Sequence, residues 1–209
     1  MRSGLIVLFF NLGLLALPGR SNAHMSDSGM VVSYSISIEP GSGKQIVAAD
    51  LYNGGSRVLF TNGTKTKIKL VSLMRVESFY FLPKNNITEI SRKQETYKKT
   101  GAKKISSAEW NKMNKKYEGA ILDTANAAHE DIAGYHCRKA TLRLVSGETI
   151  ELFYTVQLPA INKIAEPAFA TIPGLVLQYS YSTANGTIRF KAEKIQLGNI
   201  NPAVFNPLK

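Results

Sequence analysis

Residues 172–197 read IPGLVLQYSYSTANGTIRFKAEKIQL, and their patterning decides the fold class. Leu175, Leu177 and Tyr179 alternate with Val176, Gln178 and Ser180, so one face is apolar and the other mixed. Beyond Asn185-Gly186 the alternation resumes, with Ile188, Phe190 and Ala192 on one face. A period of two is that of a half-buried strand, and Asn-Gly is a strong hairpin signal. The stretch therefore predicts a β-hairpin. Pro173 fixes φ and cannot donate to a sheet ladder, so it belongs at a strand entry. Gly174 permits a tight turn or a close backbone approach. Strand entry and a loop at a ligand mouth both satisfy IPGL.

The same pattern extends outward. Met30–Glu39 alternates with Val32, Tyr34, Ile36 and Ile38 on one face, and residues 39–44 form a turn cluster ahead of a further segment, 45–52. After the Asn53-Gly54-Gly55 turn, 56–61 and 64–71 flank Asn62-Gly63 as a hairpin. Residues 75–82 make another strand, ended by Pro83 and the Asn85-Asn86 turn, with a further strand from Ile87. Residues 133–145 read as one strand running into Ser146-Gly147. Residues 148–155 follow, with Ile150, Leu152 and Tyr154 on one face. The pattern breaks only between Lys98 and Lys116. There Ser106 and Glu109 have the spacing of a helix N-cap and its third residue, and Trp110, Met113 and Tyr117 follow at helical spacing. Those three are expected to pack as core or lid. Strands at this spacing predict a mostly β protein, an antiparallel sheet, sandwich or barrel, with one short helix near 106–117. The tail from about residue 198, with Pro202 and Pro207, is expected to be extended and loosely held.

The N-terminus reads as a processing segment. Arg2 precedes an apolar run from Leu5 to Leu17, and Ser21 and Ala23 supply small residues at a cleavage site. This is the pattern of a secretory signal peptide over residues 1–23, and the run is shorter than the roughly 20 apolar residues a bilayer span needs. The expected product is a single β-rich domain, 24–209, without a transmembrane segment. Arg2 and Arg20 fall in the leader, so of 26 basic residues 24 remain against 15 acidic ones. That balance suits anionic polymers or membrane surfaces. Nucleic acid is not an expected partner of an exported chain without a recognition motif. Cys137 is the only cysteine, so no intrachain disulfide forms, and the expected location is the periplasm or the bacterial cell surface.

Few residues promise chemistry. His129, His136 and Cys137 are the only soft ligands in the body of the chain, and adjacent strand positions send His136 and Cys137 to opposite faces. Neither a metal nor another cofactor is expected. Asn62, Asn86 and Asn185 each match a glycosylation acceptor, but turn chemistry explains the two Asn-Gly pairs. No Gly-x-Ser-x-Gly and no phosphate-cradling glycine loop occurs. His129, Glu130 and Asp131 are the best candidates for hydrolysis of a surface polymer. In that reading the basic stretch 84–118 would hold an anionic substrate.

Asp131-Ile-Ala-Gly-Tyr-His-Cys-Arg-Lys-Ala-Thr141, then Phe153-Tyr154-Thr155 with Leu158-Pro159, then Ile172-Pro-Gly-Leu-Val-Leu177 come in the order found in the GLPGLI family of exported Bacteroidetes proteins. The chain resembles that family over residues 121–197. It departs at Thr171-Ile172, in place of Gly-Leu, and at Phe153, in place of Trp. A neighbouring family related to periplasmic lipoprotein carriers shares a similar Gly-Tyr-x-Cys element. The resemblance implies a curved antiparallel sheet of the half-barrel kind and assigns no catalytic residue. The expected function is therefore a non-enzymatic envelope protein that binds a lipid, another hydrophobic ligand or an outer-membrane protein. Trp110, Tyr135, Tyr154, Pro173, Gly174 and Leu175 are the expected ligand contacts. A structural partner of an outer-membrane receptor, using Lys98, Lys99, Lys103 and Lys104, is the remaining alternative.

Overall fold

The computed structural model describes residues 29–40, 53–125, 128–183 and 186–207. The expected leader, most of the 39–44 turn cluster and the 45–52 segment lie outside the described residues. Twelve strands form one antiparallel sheet. The first six are β1 (Gly29–Pro40), β2 (Ser56–Thr61), β3 (Thr66–Val71), β4 (Arg75–Lys84), β5 (Ile87–Thr96) and β6 (Thr100–Ile105). The helix α1 (Ser107–Asn114) follows, then β7 (Ile121–Asp123), β8 (His129–Ile132), β9 (Tyr135–Arg143), β10 (Thr149–Thr155), β11 (Leu175–Thr183) and β12 (Gly186–Gly198).

The spatial order is β6-β5-β4-β3-β2-β1-β12-β11-β10-β9, with β7 and β8 both on the outer side of β9. The chain thus builds two meanders, and its first and last strands, also its longest, join them side by side. The sheet stays open, with β6 at one edge and β7 and β8 at the other. It curves strongly. Neighbouring strands lie about 4.8 Å apart, which puts β11 about 10 Å from β1 in a flat sheet. Yet the Tyr34 hydroxyl of β1 donates to the Val176 carbonyl of β11 at 2.8 Å. A register shift between Phe153 and Tyr154, opposite Gln178 and Val176, leaves Leu177 as an extra residue in β11. Such a bulge bends the strand that carries it.

In β1 the alternation read from the sequence is the burial observed, whereas in β11 Val176, on the expected mixed face, is buried along with Leu175 and Leu177. Val32, Tyr34 and Ile36 are buried, and their register partners Leu59, Ala192 and Phe190 continue the same face. Two apolar clusters result, a larger one drawing on β1–β6, α1, β8, β9, β11 and β12 and a smaller one on β9–β11, with Tyr179 and Tyr181 touching both. Hairpin connections follow the turn residues. Asn85 and Asn86 both have positive φ, as a type I′ turn requires. Asn62-Gly63 opens a four-residue connection closed by Lys65 N–H on the Asn62 side chain at 2.9 Å.

The structure departs from the sequence reading in several places: β6 occupies 100–105, where the strand pattern is expected to break, and β4 runs through Pro83 to Lys84 instead of ending there. The strand expected over 133–145 is two strands, because Ala133 and Gly134 both adopt positive φ and fold β8 back on β9. The expected loose tail contains a 3-10 turn, Pro202–Phe205, capped by Asn201, and buries Phe205. Met113, expected in core or lid packing, is exposed, whereas Trp110 is buried. The cap itself is as expected, with Ser106 Oγ accepting from the Glu109 N–H at 3.1 Å.

His136 and Cys137 point to opposite faces, the first exposed and the second fully buried. Burial pushes the Cys137 thiol up to about 11. The thiolate is the reactive form, so iodoacetamide at neutral pH is expected to label the native protein at least about a hundredfold more slowly than the unfolded one. Equal rates in both states would contradict this placement.

Candidate functional site

The site grows from Arg57. It occupies the second position of β2, where the alternation points it to the buried face opposite Tyr34 of β1 and Leu70 of β3. A guanidinium there, only 4% exposed, needs a partner, because burying an unpaired charge costs several kcal/mol. Glu166 supplies it through a direct ion pair. Burial works against the Arg57 charge, but the Glu166 carboxylate, Tyr179 and Tyr34 outweigh it and hold the group above its ordinary value. The guanidinium carbon also lies 4.9 Å from the Tyr34 ring centroid. Burial raises the Tyr34 and Tyr179 phenols, so both remain neutral donors.

Glu166 is delivered by the loop after β10. Asn162 shapes that loop: its side chain accepts from Ile164 N–H at 2.8 Å, and its carbonyl accepts from Ala165 N–H and Glu166 N–H. The indole N–H of Trp110 donates to Ile164 carbonyl at 2.8 Å and so ties α1 to the same loop. Trp110 packs tilted or edge-on against Phe79 and Phe81, with centroids 5.6 and 5.2 Å away. Tyr179 stacks on Phe190 at 4.5 Å and meets Phe169 edge-on at 5.0 Å.

Between the sheet and the two segments 110–117 and 165–169 lies a cavity of about 260 Å³. Phe79, Trp110, Phe169, Tyr179, Tyr181 and Phe190 wall it, and Arg57 with Glu166 forms its polar point. A second cavity, about 390 Å³, adjoins it and shares Asn114, Tyr117, Pro167 and Ala168. Its further lining is more polar, with Asn111, Glu118, Lys163 and Thr171. Apolar clefts with a few convergent polar groups are the usual form of small-molecule sites.

Of the expected contacts, only Trp110 lines these cavities. Tyr135 is half-buried against the first cluster, and Tyr154 is buried in the second. Pro173 is exposed at the strand entry, and Leu175 is 1% exposed within the core. Gly174 lies against the backbone of Thr155 and Val156. The IPGL stretch is thus strand entry and close packing, and none of its four residues lines either cavity, although Thr171 just before it lines the second. The hydrolytic candidates are not brought to a cleft either. His129 and Asp131 are exposed on the edge strand β8, where Asp131 meets His136 at 2.9 Å and Glu130 meets Lys191 at 2.8 Å. In the basic stretch, Lys103 pairs with Glu109, and Lys104 and Lys84 pair with Glu89.

Sequence reasoning missed Arg57 and Glu166, which lie 109 residues apart and carry no local motif. It placed Tyr179 and Phe190 on the apolar faces of one hairpin, where they pair in register, without indicating that Phe79, Phe169 and Arg57 meet them.

No protein-family model matches the chain, and no curated protein does. Solved structures give low-similarity likenesses. A chain of the Pseudomonas aeruginosa MucA/MucB complex aligns at 8% identity and a TM-score of 0.36 over 87% of this chain, which spans 56% of that one. A β-barrel-like protein of the domain of unknown function DUF1849 from Brucella abortus aligns at 8% identity and a TM-score of 0.40, covering 83% of this chain and 98% of that one. Among the described residues, no helix is long and apolar enough to cross a membrane.

Proposed function

We propose that this is an exported, non-enzymatic cell-envelope protein of GLPGLI type that binds a hydrophobic ligand, a lipid or similar amphiphile, between its curved sheet and the 110–117 and 165–169 segments. One observation carries the reading. The aromatic cavity is mainly apolar, its two charged groups are paired with each other and its Asn114 amide already donates to the Trp110 carbonyl, so it offers burial to a ligand and no nucleophile paired with a base. The polar lining of the adjoining cavity suits the head of an amphiphile whose tail enters the aromatic one. The leader pattern and the family resemblance support export to the periplasm or cell surface.

Trp110 is the only tryptophan, so its emission reports on the cavity directly. Titration with a single-chain fatty acid is expected to give a saturable change in that emission. Ala168→Phe, which fills space where the two cavities meet, is expected to weaken it at least tenfold while leaving the far-ultraviolet dichroism intact. Native mass spectrometry of protein recovered from the cell envelope is expected to show a co-purifying lipid. A flat titration together with lipid-free protein would remove the ligand-binding reading.

A further inference from the structure

Two neighbouring hairpin tips bring three large exposed apolar residues together at one end of the sheet. The β3–β4 turn places Leu73 at 83% exposure and Met74 at 52%, and the β5–β6 turn places Tyr97 at 79%. The tips leave the same end of the sheet. Arg75 pairs in register with Thr96, the Ser72 N–H bonds the Arg75 carbonyl at 2.9 Å, and the Thr96 N–H bonds the Lys99 carbonyl at 2.8 Å. Strands about 4.8 Å apart therefore carry both turns side by side. Cations accompany the apolar residues. Lys98 and Lys99 are exposed, and neither is ion-paired among the described residues. The Lys98 ammonium lies 5.0 Å from the Tyr97 ring centroid.

The opposite end of the same meander differs. Its β4–β5 tip carries one large exposed apolar residue, Ile87, beside Asn85 and Asn86, and its Lys84 is paired with Glu89. Asymmetry of this kind is not the scatter of single exposed apolar residues that any surface shows. A leucine at 83% exposure forgoes the stabilisation that burial would give it.

We infer that the paired tips, Leu73-Met74 and Tyr97-Lys98-Lys99, are a docking surface for an anionic lipid bilayer. The chemistry of an interface is matched item by item: aliphatic side chains for the acyl boundary, a tyrosine for the headgroup level, and lysines for anionic lipid. Charge complementarity selects lipid over an apolar protein surface, since two exposed lysines at the centre of a protein contact would need desolvating. The placement also has a geometric consequence. Arg57 and Leu70, which line the aromatic cavity, stand one residue from this end of β2 and β3, so docking would bring that cavity's end of the sheet to the membrane. The inference itself stands whether or not the cavity holds a ligand.

The test uses the protein recovered from expressing cells, with Tyr97→Trp as a reporter at the tip and the unsubstituted protein, in which Trp110 alone emits, measured in parallel and subtracted. Vesicles of phosphatidylcholine alone are compared with vesicles also containing phosphatidylglycerol, both with brominated acyl chains. Quenching of the tip tryptophan is expected only with phosphatidylglycerol, and it should fall as salt rises. Leu73→Glu with Met74→Glu is expected to abolish it. Lys98→Glu with Lys99→Glu is expected to weaken partition at least tenfold, since one lysine near an anionic surface is worth about fivefold. Ile87→Glu at the opposite tip is expected to change nothing. No quenching with the anionic vesicles, equal quenching with neutral ones, or quenching insensitive to the tip variants would overturn the assignment. Tips that ignore vesicles yet are required for association with an outer-membrane protein would overturn it too, and would assign the surface to a receptor.

Discussion

Gly174→Ala is expected to lower the unfolding free energy by about 3 kcal/mol or more, beyond the usual range for a one-carbon addition. A Cβ built on Gly174 would stand 2.0 Å from the Thr155 carbonyl oxygen, 2.7 Å from its carbon and 3.0 Å from the Val156 Cα. Every one of those atoms is backbone, so no rotamer change relieves the clash. The two strands would have to separate where Leu175 of β11 pairs with Thr155 of β10, at the boundary between the two apolar clusters. Pro173→Ala one residue earlier is the control. Pro173 is exposed, and its loss is expected to cost less than about 1 kcal/mol. Urea midpoints for the two variants check this, and a Gly174→Ala midpoint within error of the parent would refute the close approach.

Gly174 also shows what kind of information the sequence holds. The Pro-Gly pair ahead of an alternating run marks a strand entry by local rules alone, and the structure has one there. Local rules likewise gave β1, whose Val32, Tyr34 and Ile36 are all buried, and the Ser106 cap of α1, because strand alternation and capping depend on residues at most a few positions apart. They failed at Ala133-Gly134, since an alanine with positive φ is rare and nothing nearby announces it. The site was hidden for another reason. Phe79, Phe169 and the register pair Tyr179–Phe190 come from three separated parts of the chain, each with an ordinary apolar alternation or a short loop. What brings them together is the joining of β1 to β12 and the curvature of the sheet, and these are properties of the whole topology. Trp110 was legible only because a lone tryptophan behind a helix cap has few places to go but inward. Arg57 was not, because an arginine within a short strand reads as a solvated residue unless its partner, more than a hundred positions away, is known.

That pair sets the second large expectation. Glu166→Ala leaves the Arg57 guanidinium buried without a counter-charge, and a cost of about 3–5 kcal/mol is expected. Arg57→Ala strands the carboxylate instead and removes the cation from the Tyr34 ring, so a loss of similar size is expected. The double replacement Arg57→Met with Glu166→Leu should behave differently. It removes both charges and keeps most of the volume, and swaps of buried ion pairs for apolar residues are often neutral or stabilising. Its midpoint is therefore expected within about 1–2 kcal/mol of the parent, far above the sum of the single losses. Salt separates this pair from the surface ones. Lys103–Glu109 is exposed on both sides and should be screened, whereas the coupling between Arg57 and Glu166 should be much less sensitive to ionic strength because both side chains are 10% exposed or less. Single variants that cost no more than an exposed pair, or a double variant as unstable as the sum of the two, would show that the charges do not meet in the interior. If the double variant is stable and still responds to a fatty acid through Trp110, then the pair only fastens the 162–169 loop to the sheet, and the aromatic wall alone confers binding.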